Sequence, residues 1–411
     1  MRSSGLLLSA GLALTIATQL RLAGWPVGLG EVLLVAWICI SWVEIVGRKN
    51  IRIPADFRPF VFFFVAVVAM LLLSLGYQVV RTGDLFRNAF HDLVAYTFVG
   101  VLVLTFAFLR PSQDDSERSL KALAVGLALP LAVLLVISQV TSVIGPVRLD
   151  NGFRFFGPAE NPNQLGMALV PIPFLCVLFM REAKTLLGRM GYASTLGLAL
   201  CVGVATDSDA LWLAWVVGAL LFATTVLLTK VAGRVHPALT IANLFGIGVL
   251  ALVFLVVTPI GSEILERLAE GDGGGRRTLL WTDALSSVLE SPIIGRGPGK
   301  QTLLANVQAT GEAHNSYLDL ALATGLIGLG AAIWLMATLV LRASLFARPL
   351  LWSAFMAMQC FVMFHYMFRH PLFWFYVILM ASFAHRDYEA RLRLRPRPAS
   401  GQVKLRLGRA A

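Results

Sequence analysis

The 411-residue sequence contains few charged residues for its length. Asp, Glu, Lys and Arg make up 14% of the chain, hydrophobic residues make up 57%, and the mean hydropathy is +0.77. A water-soluble domain carries about 25% charged residues, so this composition argues against a soluble enzyme. The four cysteines form no Cys-x-x-Cys pair and have no metal-ligand spacing. They are expected to be small apolar core residues.

Apolar residues are instead gathered into long runs, such as PFVFFFVAVVAMLLLSLGYQVV at 59–80. About 20 apolar residues cover the bilayer core as a helix, and a helix satisfies its backbone polar groups within the segment. The sequence therefore predicts an all-α, polytopic membrane protein with about twelve spans. These are 5–20, 25–46, 59–80, 93–109, 122–144, 165–180, 192–206, 210–229, 238–258, 317–341, 350–366 and 371–384.

The net charge of +11 is distributed unevenly between alternate loops. If the N-terminus lies inside, most of the 34 Lys and Arg residues fall in inner loops and in the basic tail at 385–411. This is the positive-inside pattern, and it predicts that both termini are cytoplasmic. Contact with anionic lipid headgroups explains the basic tail better than binding to nucleic acid does.

One loop is much longer than the others. The spans divide the chain into an N-terminal bundle at 1–258, an outer loop at 259–316, a three-span bundle at 317–384 and the tail. A long loop in a compact protein is usually either functional or disordered. Within it, 276–290 has the apolar spacing of an amphipathic helix, which would lie on the membrane surface or over a cavity.

Three outer segments carry residues suited to a phosphorylated substrate. RLDNGFRFFGPAENPNQLG at 148–166 contains Arg154 and leads through Asn163 into a helix start. A helix N-terminus beside an arginine suits an anion, although the same residues also suit a simple helix cap. The long loop adds three further arginines, namely Arg276, Arg277 and Arg296.

The third segment, AHNSYLDL at 313–320, places His314 at the mouth of an apolar helix that Asn315 or Ser316 can cap. A histidine at a cavity rim is available for proton transfer near neutral pH, and a purely structural histidine is the alternative. GRGPGKQT at 295–302 lacks the residue spacing of a nucleotide-binding loop.

A metal site is a weaker alternative. Asp207 and Asp209 have a spacing that can hold a divalent ion against a diphosphate, yet both also suit a helix start. The preferred interpretation has no metal and no cofactor.

Three segments, in this order, resemble the motifs of the bacterial O-antigen ligase and O-antigen polymerase superfamily: RFFGPAENPNQLG, RTLLWTDALSSVLESPIIGRGPG and HNSYLDLALATGLIGLG. The resemblance implies a GT-C-like glycosyltransferase of the bacterial inner membrane, with its active site at the periplasmic face. The implied donor is an undecaprenyl-diphosphate-linked oligosaccharide. It also implies that Arg277 binds the diphosphate, that His314 acts on the acceptor hydroxyl or assists the leaving group, and that Arg154 supports the donor site.

The sequence departs from the family pattern at two places. Asp209 occupies a position where the family often has arginine, which puts one phosphate contact in doubt or transfers it to Arg276 or Arg296. Ala323 occupies the position of a common glutamate, and Asp319, one turn earlier on the same helix face, is predicted to replace it. The predicted substrate-binding residues are Arg154, Asn163, Arg276, Arg296, Asn315 and Asp319.

Several functions remain open at this stage. The altered arginine position favours a polymerase, which would extend a lipid-linked glycan and would work with a chain-length regulator. A ligase would transfer the finished glycan to lipid A-core. A transporter or flippase is disfavoured because the spans contain few acidic groups, chiefly Glu31 and Glu44. A non-catalytic scaffold is the fourth alternative.

Overall fold

The structure, a computed structural model, describes residues 2–22, 27–48, 52–82, 87–232, 274–299, 312–342 and 348–394. These ranges form a helical bundle with one small β-hairpin, β1 (Val143–Ile144) and β2 (Val147–Arg148). The helices are α1 (Arg2–Leu14), α2 (Leu29–Val46), α3 (Arg58–Thr82), α4 (Arg87–Leu109), α5 (Gln113–Ser138), α6 (Pro162–Leu169), α7 (Ile172–Glu182), α8 (Leu186–Ala205), α9 (Asp209–Ala232), α10 (Gly274–Glu290), α11 (Ser316–Arg342), α12 (Pro349–Val362) and α13 (Pro371–Leu394).

Eight helical segments of the described ranges are long and apolar enough to cross a membrane, and three shorter apolar helices accompany them. The prediction of an all-α, polytopic membrane protein is therefore confirmed. The count of twelve spans stays a prediction, because the ninth predicted span at 238–258 lies outside the described residues. Much of the predicted outer loop, at 259–273 and 300–311, lies outside them as well.

Two predicted boundaries differ from the observed ones. The fifth span was predicted at 122–144, but α5 begins earlier and ends at Ser138. Its start is fixed by Ser112, whose hydroxyl accepts the Asp115 N–H at 3.1 Å. The first helix ends at Leu14, well before the predicted limit of residue 20.

The centre of the bundle is the apolar part of α13. Every residue of Pro371–Ala384 is buried, which is why this segment is apolar on all sides. The outer faces of other helices carry exposed apolar side chains, including Val43, Phe62 and Leu227. Such surfaces are expected where lipid, not water, is the solvent.

Contacts between loops divide the helix ends into two faces. On one face, the Thr18 hydroxyl after α1 donates to Gln164 of α6 at 2.9 Å. On the opposite face, Arg348 before α12 pairs with Glu182 at the end of α7 at 3.1 Å. This grouping matches the alternation of loops expected from the charges. We call the first face the outer face, following the sequence prediction.

Candidate functional site

His314 lies immediately before α11, in a left-handed backbone conformation with φ of +52°. Its side chain is half-buried. Asn315, not Ser316, is the helix cap, because its side-chain oxygen accepts the N–H groups of Tyr317 and Leu318 at 3.0 and 3.2 Å. A non-glycine residue in this conformation requires support from its surroundings.

That support comes from Asp319, one turn into α11. Its buried carboxylate accepts the N–H of Ala313 at 2.8 Å and the N–H of Asn315 at 3.1 Å. The two backbone groups flank His314, so Asp319 fixes the backbone on both sides of it. Asp319 therefore contacts the protein backbone here, in a position that determines where the His314 imidazole lies.

The amphipathic helix α10 packs against the start of α11. The Trp281 indole N–H donates to the Ala313 carbonyl at 2.9 Å. Ala284 and Val288 of α10 pack against Ala321 and Leu322 of α11. The backbone of Arg276 and Arg277 lies in the first turn of α10, but their side chains lie outside the described residues.

The turn after α10 inserts into a break in α11. Gly325 has φ of +68° and ψ of −168°, which interrupts the helix. In a straight helix the Leu322 carbonyl would accept the Leu326 N–H. Here the Arg296 N–H donates to Leu322 and Leu326 donates to the Pro292 carbonyl, both at 2.7 Å. The turn thus satisfies both backbone groups that the break exposes.

The side chain of Arg296 already has an acidic partner. Its guanidinium forms an ion pair with Glu290 at the end of α10. Any anion that binds Arg296 must therefore compete with this carboxylate.

The segment 148–166 forms a second outer element. Its Arg154 is half-buried, and the guanidinium Nε–H donates to the Thr206 carbonyl at 3.0 Å. Asn163, at the start of α6, accepts the Ser208 hydroxyl at 2.8 Å. The structure therefore brings Arg154 and Asn163 together with the start of α9.

Asp207 and Asp209 are both exposed at the start of α9, and Asp207 has φ of +47°. Within the described residues, no three His, Cys, Asp or Glu side chains are grouped closely enough to hold a metal ion. Among the described residues, a metal ion at the start of α9 would therefore have only these two carboxylates as its acidic ligands.

The junction between α12 and α13, at 363–370, connects the two outer elements. Ser316 donates to the His365 carbonyl at 2.6 Å and accepts the Met367 N–H at 2.7 Å. The His365 ring lies 4.7 Å from the Phe361 ring. Phe361 in turn packs beside Gly166 of α6, so the start of α11 and the start of α6 share one support.

Sequence reasoning missed a charged cluster at this junction. Arg369 donates to Asp92 at 3.1 Å and to Glu312 at 2.5 Å. Burial alone would lower the pKa of Arg369, but the Glu312 and Asp92 carboxylates outweigh it and raise that pKa above its usual value. The local signal was the Arg-His-Pro run before the last span. Asp92 directly precedes the predicted fourth span at 93–109, where an acidic residue has no distinctive sequence signal.

His370 has the opposite electrostatic environment. Burial, with Arg21 and Arg369 nearby, lowers its pKa to about 3. It is therefore neutral at physiological pH and does not add to the positive charge of the junction.

Residues 194–333, about a third of the chain, match the O-antigen ligase family. The match extends from α8 into α11 and includes α10, the docked turn and His314. It confirms the resemblance to the O-antigen ligase and polymerase superfamily that the motifs indicated. No curated protein matches the chain.

Proposed function

We propose that this protein, a membrane protein of the O-antigen ligase and polymerase superfamily, polymerises undecaprenyl-diphosphate-linked glycan at the periplasmic face of the bacterial inner membrane. The observation that carries the proposal is the outer-face site at the start of α11. There a half-buried histidine in a left-handed conformation follows Ala313, whose carbonyl accepts the Trp281 indole N–H from the helix that contains Arg277. Strained backbone tends to be concentrated at functional sites.

The chemistry follows from charge development. The acceptor hydroxyl attacks the anomeric carbon, the bond to the lipid diphosphate breaks with the electron pair on the leaving phosphate oxygen, and the hydroxyl proton passes to the His314 imidazole or, where His314 only orients the hydroxyl, to water. Arginines fixed in place before the reaction stabilise this charge more strongly in the transition state than in the ground state. We assign this role to Arg277, with Arg154 and Arg276 supporting the donor.

His314 acts on the acceptor side. Its imidazole either removes the hydroxyl proton as a base or orients the hydroxyl by a hydrogen bond. Diphosphate is already a good leaving group, so orientation alone is sufficient in this mechanism. Asn315 and Asp319 act by holding His314, since their side chains are engaged with backbone N–H groups.

Arg296 and Asn163 have supporting roles in this proposal. Arg296 contacts the donor only by exchanging its Glu290 partner, and Asn163 shapes the entry to α6 through Ser208. The acceptor is the next lipid-linked repeat, and membrane lipids surround the helices. A chain-length regulator protein is the expected partner of a polymerase.

Ligation to lipid A-core is the second candidate, and one observation favours it: the matching family is described as O-antigen ligase. A deletion strain separates the two. Single repeats on the usual acceptor or carrier identify a polymerase. Long chains that remain on lipid diphosphate identify a ligase. An unchanged glycan profile, in a strain without a redundant enzyme, contradicts both.

The enzyme and scaffold alternatives are separated by complementing the deletion with single variants. Arg277→Ala and His314→Ala should each fail to restore the glycan profile, while their membrane abundance stays normal. Arg189→Ala is the control, because Arg189 is exposed on the opposite face. Normal glycan from both outer-face variants would support a scaffold and contradict the proposed chemistry.

A further inference from the structure

Three charged side chains meet near the start of α11, and each comes from a different part of the chain. The Arg369 guanidinium uses one terminal nitrogen for Asp92 of α4 and the other for Glu312, two residues before His314. Asp92 is 5% exposed, Glu312 is 18% exposed and Arg369 is 25% exposed. The Tyr366 ring lies 4.5 Å from the guanidinium carbon. We call these three charged residues the Arg369 cluster.

The Arg369 cluster also contacts the turn that follows α10. The second oxygen of Asp92 accepts the Gly299 N–H at 3.1 Å. Gly299 closes the described turn that docks into the break of α11, and Glu312 opens the described segment that leads to His314. The two ion pairs of Arg369 therefore connect the turn that follows the Arg277 helix, through Asp92, with the segment that carries His314, through Glu312.

The three residues of the Arg369 cluster are expected to hold one another in place. When one partner of a buried, hydrogen-bonded ion pair is removed, the other remains as an uncompensated charge, and its interactions rearrange. A planar guanidinium can bond two carboxylates at once, whereas a lysine ammonium is a single point charge. The segment from Glu312 to His314 is short, so a change at Glu312 is transmitted directly to the His314 backbone.

We propose that Arg369 is a positioning residue, which sets the place of His314 relative to the Arg277 helix by holding Glu312 and Asp92 together. This inference rests on the proposed function for its catalytic consequence, but the positioning itself does not depend on it. Neither Arg369 nor Asp92 belongs to the three segments that resemble the motifs of the superfamily.

The chain offers a matched control on the opposite face. Arg348 pairs with Glu182 at 3.1 Å and lies 4.2 Å from the Phe383 ring, so it repeats the combination of carboxylate and aromatic partners. Arg348→Lys measures how much stability is lost when an arginine with such partners is replaced by lysine. Arg369→Lys and Glu312→Gln test the positioning, and both retain hydrogen-bonding capacity so that folding is preserved.

The first measurement is independent of activity. Purified full-length protein in nanodiscs is treated with diethyl pyrocarbonate, and the modification of His314 is followed by mass spectrometry. We expect the rate of His314 modification to change about threefold or more in Arg369→Lys and Glu312→Gln, because local opening alters exposure, and to stay unchanged in Arg348→Lys. Equal rates in all variants would overturn the proposal.

The second measurement is glycan transfer with saturating lipid-linked donor. A misplacement of about 1 Å costs about 100-fold in rate, so we expect kcat to fall at least about tenfold in Arg369→Lys while the unfolding temperature matches that of Arg348→Lys. Glu312→Gln should be less severe than Glu312→Ala, because the amide oxygen still accepts from Arg369. The double variant Glu312→Ala with Arg369→Ala should be no worse than the more damaging single variant.

The two proposals fail in different ways. If wild-type protein transfers no glycan but the His314 modification rate still responds to Arg369→Lys, the positioning role stands and the proposed function is wrong. If wild-type protein is active and Arg369→Lys retains full kcat, Arg369 has no positioning role in catalysis. Additive losses in the double variant would also refute it, because independent residues would then be responsible.

Discussion

The break in α11 makes Gly325 the most informative position for a stability test. Gly325 has a backbone conformation that is essentially restricted to glycine. An alanine Cβ built there would press against the Ile293 backbone and the Gly295 nitrogen of the docked turn. Gly325→Ala should therefore favour a straight α11 and displace the turn.

The magnitude follows from the bonds involved. Straightening α11 breaks the two hydrogen bonds between the turn and the helix and restores one within the helix, a net loss of about 1 kcal/mol. This cost opposes straightening equally in the wild-type and alanine chains, so the difference between them is the backbone strain of about 2 kcal/mol that the docked turn imposes on alanine. The substitution should therefore destabilise the docked turn by about 2 kcal/mol, which shifts the equilibrium about 30-fold towards the undocked turn.

Hydrogen exchange of the peptide covering 291–299 measures this equilibrium, because exchange of protected amides reports local opening. Gly330→Ala is the control, since Gly330 lies in the same helix with no atom within 4 Å of an added Cβ. We expect exchange at Arg296 to accelerate about 30-fold in Gly325→Ala and to remain unchanged in Gly330→Ala. Equal exchange in the two variants would refute the role assigned to the break.

Three other perturbations have defined outcomes. Asp319→Ala leaves two buried N–H groups without their acceptor, which costs about 1–3 kcal/mol of stability for each group. Its unfolding temperature should therefore fall below that of Asp319→Asn, which keeps one acceptor oxygen. Equal unfolding temperatures in the two variants would contradict this. Ser208→Ala should lower the free energy of unfolding by about 1 kcal/mol, because it removes the hydrogen bond to Asn163. Ser9→Ala should leave it unchanged, since the buried Ser9 hydroxyl has no hydrogen-bond partner among the described residues. Denaturant unfolding of the two variants measures this difference. The pKa of His370 lies at about 3 when folded and at about 6.5 when unfolded. The unfolded chain therefore binds more protons between these values, and stability is lost as pH falls below about 6.5. His370→Gln should flatten that decline in a pH series of unfolding temperatures, and an unaltered slope would argue against a neutral His370.

Hydropathy predicted most of the helices because bilayer thickness fixes how many apolar residues a span needs. The boundaries were less well predicted. The fifth span was drawn to avoid charged residues, whereas Ser112 caps α5 within a charged stretch. Charged residues near a helix end are tolerated at the membrane surface, so their presence does not mark where a helix starts.

The candidate site was predicted in part. Local patterns identified the mouth of α11, since a cap and a left-handed residue depend on adjacent residues. The Arg369 cluster joins residues that are 277 and 57 positions apart along the chain, so no local pattern contains it. Similarly, Gly325 is one of several glycines in its span, and only the docked turn distinguishes it.

The bonds from Ser316 to the α12–α13 junction also bear on how the protein is made. Ribosomal synthesis produces the start of α11 about 50 residues before the junction that supports it. His314 therefore reaches its final surroundings only after the last two helices have entered the bundle. A chain that stalls during insertion holds its histidine without that support, so the proposed transfer activity is expected only when assembly is finished.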